Sequence, residues 1–130
     1  MKKIIFITAM ILSLLGCSLS HKNPLDSSNV EIPKSVIGIE LFSSSPQSPE
    51  KYVEIHWEKL TNVEGYYIYR AMIFDGQYEK IATIPNSQGN NMIFRDNNVF
   101  SNNFYYYKMS AYNSQGLEGH LSGFLRIFVE

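Results

Sequence analysis

A chain of 130 residues that is 45% hydrophobic and 14% aromatic carries enough apolar material for one core and too much for a disordered polymer. Its net charge is −1, with no lysine or arginine run and no basic helix, which argues against a nucleic-acid partner. One cysteine excludes an internal disulfide, and histidines as far apart as 21, 56 and 120 do not match zinc-site spacing, so no metal or cofactor is expected.

The chain opens MKKIIFITAMILSLLGC. Lys2 and Lys3 form a short positive region, and Ile4 to Leu15 is a mostly apolar run of 12 residues. As a helix, that run rises about 18 Å, well short of a bilayer core of about 30 Å, so it has the length of a signal-peptide core rather than of a membrane span. Leu14-Leu15-Gly16-Cys17 resembles a bacterial lipobox, the sequence read by lipoprotein signal peptidase. The resemblance implies removal of residues 1–16 and a diacylglycerol thioether on Cys17, making the lipid bilayer the expected partner of the acylated N-terminus. Two or more acyl chains convert marginal membrane binding into durable attachment. Lys2 and Lys3 are the only charges before Cys17, so cleavage takes the net charge from −1 to −3. Ser18 follows the cysteine where an aspartate would favour inner-membrane retention, which points to the outer membrane if the organism is diderm.

Residues 18–34, SLSHKNPLDSSNVEIPK, sustain neither a helical nor a strand period. They read as a flexible tether that, with Cys17, forms segment 17–34. Its end-to-end distance would be roughly 20–25 Å. His21 and Lys22 are expected in solvent.

From residue 35 the pattern becomes short alternating segments broken by turns. In KYVEIHWEKL, Val53, Ile55 and Trp57 face one way while Glu54, His56 and Glu58 face the other. EGYYIYRA sets Tyr66 and Ile68 against Tyr67 and Tyr69, and FDGQYEKIATI runs from an Asp75-Gly76 turn into a strand. NNFYYYKMSAYN gives one face to Tyr105, Tyr107, Met109 and Ala111. SGFLRIFVE sets Leu125, Ile127 and Val129 against Phe124, Arg126 and Phe128. Period-2 segments about ten residues apart, with no helical stripe, predict an all-β, two-sheet sandwich.

Residues 35–130 resemble a fibronectin type III domain. The resemblance rests on Trp57, on Gly65-Tyr66-Tyr67-Ile68-Tyr69-Arg70, on the strand Tyr78–Ile84, on the spacing of Asp96, Val99 and Tyr105, and on the run from Tyr105 to Asn113. Gly116 and Ser122 fall where the following loop and last strand are expected. The resemblance implies an immunoglobulin-like sandwich of that topology, Trp57 between the sheets, and a tyrosine corner at Tyr105. The chain departs from the family at Ser101-Asn102, where Pro-Gly is common, and at Val99, where Leu is common. No Arg-Gly-Asp is present.

No nucleophile elbow, phosphate-binding glycine loop or metal-spaced histidine pair occurs, and no catalytic residue is assigned. Glu54, His56 and Glu58 read as a solvated outer face and His120 as exposed. In the resembling topology, the third strand and the last flank the strand of Tyr105. That would gather Tyr67, Tyr69, Tyr106, Lys108, Tyr112, Phe124, Arg126 and Phe128 on one outward face. Aromatics and arginine concentrate binding energy, so this face is the candidate site for an unknown protein partner. The expected function is a membrane-anchored lipoprotein presenting one module for protein–protein interaction at the bacterial envelope or surface. A structural or accessory subunit of an envelope complex, or a self-associating spacer, is the alternative.

Overall fold

The computed structural model describes residues 31–86 and 89–130. The expected signal peptide, Cys17 and tether residues 18–30 lie outside the described residues.

Seven strands form: β1 (Glu40–Ser43), β2 (Val53–Glu58), β3 (Gly65–Ala71), β4 (Glu79–Pro85), β5 (Asn91–Asp96), β6 (Asn103–Tyr112) and β7 (Leu125–Val129). They make a three-stranded sheet in the order β1-β2-β5 and a four-stranded sheet in the order β4-β3-β6-β7, antiparallel throughout. The pleat sends alternate side chains to opposite faces, so each period-2 segment buries one set. Val53, Ile55 and Trp57 come from one sheet, and Tyr66, Ile68, Tyr105, Tyr107, Met109, Ala111 and Val129 from the other; all are buried. Trp57 lies edge-on to Tyr66 across the sandwich, with ring centroids 5.3 Å apart. Among the described residues, the buried cluster comes from residues 36–129.

Two strands had no reading in the sequence. β1 is four residues long and largely exposed. β5, NMIFRD, turns Met92 and Asp96 inward and Ile93 outward, so polarity and direction disagree along it.

Asp96 is buried because it staples the sheets together. Its Oδ2 accepts from Arg70 Nη1 on β3 at 2.8 Å and from the Tyr107 hydroxyl on β6 at 2.9 Å. Its Oδ1 accepts from the Asn98 backbone N–H at 3.0 Å. Burial, reinforced by the Asp96 carboxylate, pushes the Tyr107 hydroxyl pKa far above the usual tyrosine range.

The tyrosine corner forms as the resemblance implies: the Tyr105 hydroxyl accepts from the Phe100 N–H at 2.8 Å. The turn before it survives the loss of Pro-Gly because Asn102 adopts φ +60°. Asparagine enters this left-handed region more readily than other non-glycine residues. From there the Asn102 N–H donates to the Val129 carbonyl at 2.7 Å, holding the end of β7.

Chain direction sets the poles. Asn103 pairs with Val129 at one end of the β6–β7 ladder. At the other end of β6, Tyr112 bridges Glu118, and Asn113 Nδ2 donates to the Glu31 carbonyl at 3.1 Å. Pro33 is buried there against Gly119. The first described residues therefore enter at the pole opposite the one where the chain ends.

Candidate interaction surface

The outer face of the four-stranded sheet follows from register. β6 alternates outward through Phe104, Tyr106, Lys108, Ser110 and Tyr112 while its other side fills the core. Tyr67 lies opposite Ser110 and Tyr69 opposite Lys108, while Arg126 lies opposite Tyr106 and Phe128 opposite Phe104. All eight residues singled out from the sequence therefore share one face.

The rings group in three clusters. At the pole where residue 31 enters, Tyr67 stacks on Tyr112 with centroids 4.6 Å apart and planes 18° apart, and Lys80 Nζ lies 3.8 Å from the centre of the Tyr67 ring. The Tyr112 ring also covers Gly65, where a Cβ would strike both that ring and the Ile84 carbonyl, so the bare backbone makes room for the stack. Mid-face, Phe74, Tyr106 and Phe124 form a triangle with centroids 5.9–6.4 Å apart, and Lys108 Nζ lies 4.2 Å from the Tyr78 ring centre. Towards the other pole, Phe104 meets Phe128 at 4.9 Å under the guanidinium of Arg126.

Exposure is uneven. Phe74 and Phe124 are about half exposed, at 53% and 50%, and Phe104 and Phe128 are also exposed. Tyr67, Tyr69, Tyr106 and Tyr112 are half-buried. The loop after β6 reaches back over the Tyr69 end. There Glu118 Oε1 accepts from the Tyr69 hydroxyl and the Ser110 hydroxyl, each at 2.6 Å. Burial, and next the hydrogen bond to this carboxylate, push the Tyr69 hydroxyl up to about 12.

Four side chains of this surface escaped the reading of the sequence. Phe104 was legible, since it shares parity with Tyr106. Phe74, Tyr78 and Lys80 were not, because only the folded β3–β4 hairpin carries them onto the sheet. Met72 and Ile73 precede Phe74 in the same turn and are also exposed.

The opposite outer face, on β1, β2 and β5, carries Glu54, His56 and Glu58 as expected, but two of them are engaged rather than simply solvated. Glu54 pairs with Arg95 and, at 3.2 Å, with His56 Nε2. The Arg95 hydrogen bond, then that of His56, holds the Glu54 carboxyl below the usual range. Among the described residues, no three histidine, cysteine or carboxylate side chains are arranged to hold a metal ion. His120 is exposed.

A crystal structure of an Fn3-like protein from Clostridium thermocellum superposes with a TM-score of 0.62, covering 77% of this chain and 96% of that one at 23% identity. The chain has a fibronectin type III fold. An fn3 domain of human contactin 1 gives a TM-score of 0.54, covering 80% of this chain and 90% of that one at 20% identity. In sequence, 116 residues are 30% identical to an amylopullulanase of Thermoanaerobacterium saccharolyticum, over 89% of this chain. The chain spans 8% of the length of that enzyme. No protein-family profile matches the chain. In this fibronectin type III sandwich, Trp57, Tyr105 and the Asp96 staple are committed to the core, which leaves the outward faces and loops to carry function.

Proposed function

We propose that the chain is a bacterial lipoprotein, anchored by acylated Cys17 through the tether 17–34, that presents residues 35–130 as one non-catalytic module for binding a protein partner at the envelope. The lipobox residues Leu14 to Cys17 support the anchor. One observation carries the binding role: a contiguous outer face on which six aromatics named from the sequence are joined by Phe74 and Phe104 and set with Lys80, Lys108 and Arg126. Extensive exposed apolar surface on a soluble domain marks an interaction site, and central aromatics commonly contribute about 2 kcal/mol or more to an interface.

Metabolic fatty-acid labelling of the native chain against Cys17→Ala tests the anchor; equal labelling rules it out. For the face, Tyr106 and Phe124 are replaced with Ser, since neither takes part in the Glu118 hydrogen bonds. Partner capture from envelope extracts should be lost while the fold is retained. Unchanged capture of the same partner removes the face from consideration.

A further inference from the structure

The turn between β3 and β4 sets three consecutive apolar residues into solvent: Met72, Ile73 and Phe74 are 57%, 63% and 53% exposed. Such a run on a folded domain is a liability unless something uses it. The run is held in a fixed shape. The Gly76 N–H donates to the Ile73 carbonyl at 3.1 Å, closing the turn, and the Tyr78 hydroxyl donates to the Phe74 carbonyl at 2.9 Å. The Phe74 ring leans on Tyr106 and Phe124, which props the turn from the sheet side. Arg70, near the end of β3, donates to the Asn98 carbonyl at 2.7 Å, so the loop after β5 comes to the same pole. That loop brings Phe100, at 69% the most exposed large apolar side chain among the described residues. Behind the tip stand side chains with one apolar and one wet end: Tyr106, and Tyr78 with Lys108 Nζ 4.2 Å from its ring centre. An apolar tip backed by tyrosine and lysine is the arrangement that suits a membrane–water boundary.

We propose that the Met72–Phe74 turn, with Phe100, dips into the same lipid bilayer that holds the acylated Cys17. This rests on the lipoprotein reading and adds a second membrane contact to it. Residues 17–30 number 14 and can span at most about 50 Å when fully extended. The longest strand of the domain, β6, has ten residues and is therefore about 33 Å long. Every part of the domain is then within reach of the anchoring bilayer, the tip included. The tether also makes the second contact intramolecular, so a few apolar side chains that would hold a bilayer too weakly from free solution are enough. Asp75 in the turn and Glu50 beside Phe100 keep the contact shallow and disfavour anionic lipid, so apolar burial rather than charge drives it.

The full chain is expressed in bacteria, and the acylated product is placed in phosphatidylcholine vesicles. Met72→Cys or Gln115→Cys carries a polarity-sensitive dye; with Cys17 acylated, the introduced cysteine is the one free thiol. Gln115 is exposed at the other pole, where its N–H bonds to Asn113 and Asn113 bonds to Glu31. A nitroxide on the lipid chains should quench the dye at position 72 about threefold or more above the dye at position 115. Adding Ile73→Asp should bring quenching at position 72 down to the level of position 115. Ile73→Ser is the second variant if aspartate upsets the turn, and emission of the buried Trp57 reports that the core is intact in each. If the protein floats with the vesicles but the two positions are quenched alike, the inference fails and the anchor stands. Quenching that Ile73→Asp and Ile73→Ser leave unchanged also overturns it. If the dye at position 72 is shielded from water without lipid quenching, and more so at higher protein density, the tip meets a second copy and the inference fails. If Cys17 carries no fatty acid and the chain does not float, anchor and inference fall together.

Discussion

Asp96→Ala removes the single carboxylate that joins three strands of this sandwich. The side chain is 5% exposed and accepts from Arg70, Tyr107 and the Asn98 backbone. Its loss leaves a guanidinium that is 18% exposed without its counter-charge. Breaking a buried ion pair from one side costs about 3–5 kcal/mol. The Tyr107 hydroxyl and Asn98 N–H would each add about 1–3 kcal/mol if left dry. Arg70 keeps its 2.7 Å bond to the Asn98 carbonyl and can tilt towards water, so the terms do not sum, and about 3–5 kcal/mol is expected. Against a domain stability of about 5–15 kcal/mol, that loss is severe. Trp57 is the sole tryptophan and is buried, so its fluorescence reports unfolding in urea. With a slope of about 1–3 kcal/mol per molar, the midpoint should fall by roughly 2 M. Replacing the group together, Asp96→Leu with Arg70→Met and Tyr107→Phe, should return stability to within about 1 kcal/mol of the wild type, because no charge is then buried alone. An Asp96→Ala midpoint equal to the wild type would refute the staple. A triple variant as unstable as the single one would show that packing, not the orphaned charge, sets the cost.

Trp57→Ala should destabilise the domain by about 3–5 kcal/mol in a calorimetric melt, the range for deleting a large buried aromatic. At Asn102, Gly should be neutral or better, while Ala should cost about 1–2 kcal/mol in chemical denaturation, since the left-handed φ penalises a Cβ. The Tyr69 hydroxyl titrates at about 12 in the fold against 10 for the free group, so folding favours its protonated form. Its contribution to stability is complete below pH 10 and is lost as pH rises from 10 through 12. Phenolate absorbance, read as the difference from Tyr69→Phe, should show this titration, and Glu118→Gln should bring it part of the way back towards 10.

Alternation around Trp57, Tyr66 and Tyr105 was enough to predict the sandwich, because a strand with one buried face writes its direction into every second residue. The same parity placed Tyr67, Tyr106 and Phe128 outward, and the resemblance supplied the strand neighbours that joined them into a face. The resemblance of Leu14–Cys17 to a lipobox likewise rests on sequence alone, since such a signal is read as a linear string. Other features depended on contacts between distant segments. In the sequence Asp96 is only a spacing match with Val99 and Tyr105; β3 and β6 bring Arg70 and Tyr107 to it, and that partnership is what permits a buried carboxylate. Phe74 reads as loop until the β3–β4 hairpin folds it onto Tyr106 and Phe124. Glu118 lies 49 residues from Tyr69 in the chain and meets it only because the loop after β6 returns across the sheet. Glu40 and Glu58 likewise share a face only once β1 pairs with β2. Local alternation sets which way a side chain points; which other side chains it meets there is decided by pairing across the whole chain.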